Sequence, residues 1–176
     1  MLKNRAARRQ AEQAVAAIHQ ALIAQARQPD FYRDGGVPDT LDGRFELIVL
    51  HAFLVFHRLK GQGPEAAAFS QELFDLLFRD LDYGLRELGV GDLAVGKRIK
   101  AMAEGFYGRV VAYEKGLEAA GDADLQAALD YNLYGTREAQ PAQLAHMAAY
   151  LRRSAQALAG QDVAVLMAGR VDFVPL

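Results

Sequence analysis

The sequence contains no cysteine, which excludes a disulfide framework, a thiolate metal site and a thiol nucleophile, and fits a reducing compartment. It has little excess of either charge: 20 Lys and Arg against 22 Asp and Glu leave a formal net charge of -2 over 176 residues. That balance gives no reason to expect DNA as a partner. Long apolar runs are missing too. The longest, Leu47 to Phe56, is interrupted by His51 and falls well short of the roughly 20 residues a membrane-spanning helix needs. No β-branched run bounded by turns competes as a strand. What remains is 52% hydrophobic and 24% charged, an ordinary globular composition whose length fits one domain. Met1 to Arg9 are basic and acid-poor, but they run without a break into a helical pattern and have no apolar signal-peptide core, so they read as mature protein.

Glycine and proline divide the chain into segments of helical periodicity, and the expected fold is an all-α, single-domain bundle of about six helices over residues 1–176. The first runs from about Asn4 to Arg27, with Val15, Ile18 and Leu22 on one side, and Pro29 stops it. Asp30 to Asp39 reads as a loop. Thr40 or Asp42 caps a second helix reaching Leu59, apolar around most of its circumference and therefore central. Gly63 and Pro64 open the third, and Gly89, just after Leu88, closes it. Asp92 starts the fourth, whose stripe Ile99, Met102, Phe106, Val110, Tyr113 and Leu117 ends near Gly121. Asp122 or Asp124 opens a short fifth through Leu133. Gln140 and Pro141 open a sixth through Leu158, and Asp162 to Met167 add a last turn.

Several constellations suggest chemistry and then fail on inspection. Gly91 to Arg98 begins like a phosphate-binding loop, but Arg98 stands where a magnesium-holding Ser or Thr is needed, Asp92 repels phosphate, and a helix precedes it instead of a strand. The four histidines, His19, His51, His57 and His146, form no metal-binding spacing, so no metal or cofactor is expected. Glu72, Asp75, Arg79, Asp82 and Arg86 share one stripe of the third helix and read as a solvated face of weak ion pairs. Asp80 lies off that stripe and calls for a basic partner such as Lys97 or Arg98.

Other features point to contact instead of catalysis. Arg44, His51 and Arg58 recur at intervals of seven, giving a polar strip suited either to an acidic partner or to internal pairing with the third helix. Lys97, Arg98 and Lys100 crowd the start of the fourth helix, where the dipole disfavours cations. They could meet phospholipid headgroups, ribosomal RNA or acidic side chains. Gly105 and Gly108 inside that helix each cost about 1 kcal/mol relative to alanine, and a close helix crossing, internal or with a partner, would explain them. Lys3, Arg5, Arg8 and Arg9, beside an alanine-rich side, could give weak contact with an anionic membrane.

With these residues set out, Val37-Pro38-Asp39-Thr40-Leu41-Asp42-Gly43-Arg44-Phe45-Glu46, then Leu50-His51 and Arg58-Leu59, resembles the ubiquinol-cytochrome c chaperone family. So do Phe78-Arg79-Asp80-Leu81-Asp82, Leu85 to Leu93, Lys97-Arg98-Ile99-Lys100 and Phe106-Tyr107-Gly108-Arg109. The resemblance covers about residues 31–117. It implies a non-catalytic assembly factor for the cytochrome bc1 complex, respiratory complex III, binding cytochrome b or another subunit, with the ribosome or the membrane surface as further partners. With no presequence or membrane segment, the chain looks like a bacterial relative, working in the cytoplasm or peripheral to the inner membrane. Candidate client contacts in the matching segments are Arg44, Arg58, Lys97, Arg98, Lys100, Tyr107 and Arg109, and candidate membrane contacts are Arg5, Arg8 and Arg9. The alternatives are a haem- or quinone-type small-ligand carrier using a histidine such as His51, or a membrane-peripheral scaffold.

Overall fold

Capping residues and prolines set the helix boundaries. The computed structural model describes residues 2–87 and 89–176, without the side chains of Leu2, Lys3, Asn4 and Ala7. Eight helices and no strand occur among them: α1 (Leu2–Ala26), α2 (Pro29–Arg33), α3 (Leu41–Leu59), α4 (Pro64–Glu87), α5 (Asp92–Glu118), α6 (Ala123–Asn132), α7 (Pro141–Ala159) and α8 (Val163–Met167). None is long and apolar enough to cross a membrane. The all-α reading holds, with two helices more than the six expected. One is the last turn, α8, which Asp162 caps by accepting from the Ala164 amide at 2.9 Å. The other corrects the reading of Pro29, which ends α1 but also opens α2, because a proline at the first helical position loses no needed donor. The sequence-based end of α4 at Leu88 lies outside the described residues.

Thr40 caps α3, its hydroxyl accepting from the Gly43 amide at 3.1 Å, an arrangement worth about 1 kcal/mol. Gly43 is required here. A Cβ at that position would lie 2.0 Å from the Pro38 carbonyl oxygen, so only glycine lets the incoming loop fold down onto the helix.

As its apolar circumference demands, α3 runs through the middle, packed by α1, α4, α5 and α7. Leu47, Leu50, Phe53, Leu54 and Val55 are buried on it, and one continuous core cluster draws side chains from all eight helices. The next two helices, α4 and α5, pack side by side. Then α5 meets α6 where a Cβ on Gly116 would fall 2.7 Å from the Leu125 Cα; the close crossing expected at Gly105 and Gly108 is at Gly116 instead, because that is where α6 packs onto α5.

At the centre of the core His51 is fully buried. Its Nδ1–H donates to the Leu47 carbonyl at 2.7 Å, and its Nε2 takes the Tyr150 hydroxyl at 2.7 Å. A carbonyl can only accept, so this geometry fixes the neutral Nδ1–H tautomer. Gln25 in turn donates to the Tyr150 oxygen and to the Val174 carbonyl. The segment after α8 is thereby tied across the bundle, with Phe173 edge-on to the His51 ring at 5.3 Å.

Candidate functional site

Where the start of α3, the second half of α4, α5 and the end of α6 come together, they leave an open groove of about 1340 Å³. Its α5 wall is made of small residues at helical spacing, Ala101, Gly105, Gly108 and Ala112. Gly84 and Gly108 face open space, nothing lying within 4 Å of an added Cβ, and the room beside Gly105 is occupied only by the Arg109 guanidinium. Phe45, Leu81, Leu85 and Met102 add apolar surface. At the mouth stand two large apolar side chains in water, Tyr131 at 82% exposure and Leu41 at 61%. Asp42, Asp80, Asp130 and Glu138 make the lining more acidic than Arg98 and Arg137 make it basic.

The lining also contains one ion pair removed from water. Arg109 on α5 grips Glu46 on α3 in a two-pronged pair, Nε donating to Oε2 at 2.6 Å and Nη2 to Oε1. Their side chains are only 20% and 10% exposed. Burial pushes the Glu46 carboxyl up, against the downward pull of Arg109. The Arg109 guanidinium is raised by its bond to that carboxylate, and the matched fork keeps both groups charged. The same guanidinium lies 6.0 Å from the Phe45 ring centroid.

Of the residues singled out in the sequence, Arg98 and Arg109 both line this groove. Lys97, Lys100 and Tyr107 belong to the same helix but are exposed on its outer side, the Tyr107 ring lying 5.8 Å from Phe74. Arg44 and Arg58 do not join them or each other, being 14 residues apart on α3, about 21 Å along the axis. Arg44 holds Asp39 at 2.6 Å, and Arg58 donates to the Gln161 carbonyl at 2.7 Å. With His51 buried between them, the seven-residue strip is not a continuous outward surface, and its partners come from the preceding loop, α7 and the segment after it instead of α4. Arg5, Arg8 and Arg9 are exposed on the first turns of α1, Arg8 pairing with Glu12 at 3.0 Å; Lys3 lies outside the described side chains.

Asp80 does not pair with Lys97 or Arg98 among the described residues; the nearest basic side chain is the buried His19 at 3.6 Å, too far for a hydrogen bond. On the stripe of α4 only Asp82 and Arg86 close into an ion pair among the described residues. Both nitrogens of His51 are occupied inside the core, so it offers no lone pair to haem or quinone. Among the described residues no three His, Asp or Glu side chains come together as metal ligands. Sequence reading missed Glu46, although a lone carboxylate among the apolar residues of α3 signals that a cation must reach it.

Fold and groove define the class: an all-helical protein with a broad, open groove in which small and apolar side chains alternate with acidic ones. The chain belongs to the ubiquinol-cytochrome c chaperone family, which matches residues 33–173. It is similar to Ubiquinol-cytochrome-c reductase complex assembly factor 1 of Xenopus laevis, 26% identical over 150 residues, 84% of this chain and 74% of that protein. The assembly factors 1 of Mus musculus and Homo sapiens are each 25% identical over the same length, which is about half of each. The crystal structure of the Cbp3 homolog from Brucella abortus superposes with a TM-score of 0.88 at 38% identity, over 99% of this chain and 97% of that one.

Proposed function

We propose that this protein is a non-catalytic assembly factor for the ubiquinol-cytochrome c reductase complex, with cytochrome b or another subunit of that complex as its client. The observation that carries the reading is the end-to-end likeness to the Cbp3 homolog together with relatives named as assembly factors of that complex. The client site is the groove between α3 and α5. At about 1340 Å³ it exceeds the roughly 300–1,000 Å³ of small-ligand sites, and its openness suits a polypeptide segment. The row Ala101, Gly105, Gly108 and Ala112 lets an incoming backbone come close, the way apolar membrane helices pack on one another. Its acidic rim would hold the basic residues that commonly flank such helices. The place of action is the cytoplasmic face of a bacterial inner membrane.

The test is to delete the protein from its own cell and follow the complex by haem b spectrum and native gel. Loss of the complex with its transcripts intact supports the reading, and normal assembly overturns it.

A further inference from the structure

The outer ridge of α5 is set apart from the rest of the surface. Leu93, Lys97, Lys100, Glu104, Tyr107 and Val111 succeed one another at steps of four and three, so they lie within about 40° of a single line along the helix. All six are exposed. Of the six large apolar side chains exposed among the described residues, three are on this ridge, Leu93 at 96%, Tyr107 and Val111. Neither Lys97 nor the adjacent Arg98 makes an ion pair among the described residues, and Lys100 only approaches Glu104 at 3.9 Å. In a chain of net charge -2, residues 86–100 hold four basic side chains against two acidic ones. One of those two, Asp92, is neutralised by Arg86.

Two occupants could meet such a ridge, and the position of the lysines separates them. Lys97 and Lys100 stand between Leu93 and Tyr107, so a protein partner covering the apolar residues would bury both lysines at the centre of its interface, where lysine is depleted. A bilayer has no such conflict. Leucine, valine and the tyrosine ring enter the interface, while lysines extend their stems and keep their charge among the phosphates. We infer that α5 lies along an anionic membrane surface, with Leu93, Tyr107 and Val111 dipping into it and Lys97 and Lys100 meeting lipid headgroups. The groove wall is about a quarter turn further round the same helix, so the groove opens alongside the bilayer. The inference stands independently of which client the groove receives.

Flotation of the full chain with vesicles of phosphatidylcholine, alone or mixed with phosphatidylglycerol, tests it. Binding is expected to the mixed vesicles and to weaken with salt. Each cation contributes about fivefold, so Lys97→Gln and Lys100→Gln together weaken binding about 25-fold. Leu93→Ser with Val111→Ser, which leaves every charge in place, weakens it at least about tenfold. Changing Arg5, Arg8 and Arg9 to Gln leaves it nearly intact. All these side chains are exposed, so thermal unfolding of the variants should match the parent. No binding, equal binding to neutral vesicles, or dependence on the α1 arginines instead of α5 overturns the assignment. Unchanged binding by the α5 variants does so too, and leaves the ridge to a protein partner.

Discussion

Glu46 and Arg109, 63 residues apart in sequence, join the start of the central helix to the middle of α5 by a paired fork of hydrogen bonds beside the groove. The pair fixes the groove wall. It adds to the contacts that Phe56 makes with Phe106 and Phe53 with Tyr113 between the same two helices, and Lys60, just past the end of α3, with Glu114.

Removing one member leaves the other charged and largely out of water, which costs on the order of 3 kcal/mol. Arg109→Met and Glu46→Gln should each lose about that much in urea unfolding. The double variant should recover a good part of it, because neither charge is then stranded. Additive losses would show that the two groups act separately.

Arg152 does comparable work at the other end of α5. From α7 its guanidinium reaches the carbonyls of Gly116, Leu117, Ala119 and Gly121, and the Asp122 carboxylate at 2.6 Å. It thus gathers the helix end whose acceptors have no partners of their own and whose dipole is negative. Arg152→Ala should cost about 2 kcal/mol. Arg152→Lys should restore less than half, since an ammonium cannot fork to several acceptors. Full rescue by lysine would mean that charge alone matters.

These two arginines show what the sequence made legible and what it did not. Helix class, the central place of α3 and the punctuation at Thr40, Pro64, Asp92 and Pro141 were readable, because each rests on local backbone chemistry or on the period of apolar residues. Asp122 was readable as a helix start, yet its side chain turns to Arg152. Neighbours drawn from 30 or more residues away, such as Arg152 for Asp122 or His19 for Asp80, leave no periodic trace. The groove was half visible. Gly105 and Gly108 were conspicuous inside a helix, but only the fold shows that Gly108 faces open space and Gly105 the Arg109 guanidinium, while Gly116 makes the tight crossing.

His51 predicts a pH dependence. Burial brings it down from the usual 6.5 to about 4, so in the folded protein it refuses a proton that the unfolded chain accepts. Its contribution is therefore complete above about pH 6.5 and is lost as pH falls toward about 4, at up to about 1.4 kcal/mol per pH unit. His19, also lowered by burial, acts in the same direction. His51→Gln should be less stable than the parent at neutral pH but flatter across this window when unfolding is measured at each pH. Parallel curves for the two proteins would remove His51 as the cause.

The groove glycines separate stability from function. A Cβ on Gly108 meets nothing within 4 Å, so Gly108→Ala should stabilise the protein by up to about 1 kcal/mol through helix propensity. Gly96 is equally open and lies off the groove, so Gly96→Ala should do the same. Gly116→Ala should destabilise, because Leu125 stands in the way. Gly108→Leu is the decisive variant: it projects a full side chain into the groove from a position with room for it, so it should fold as well as the parent and yet support little assembled reductase complex in cells lacking the wild-type protein. A stable Gly108→Leu protein that restores the complex fully would show that the client binds elsewhere. The exposed ridge of α5 would then be the surface left to examine.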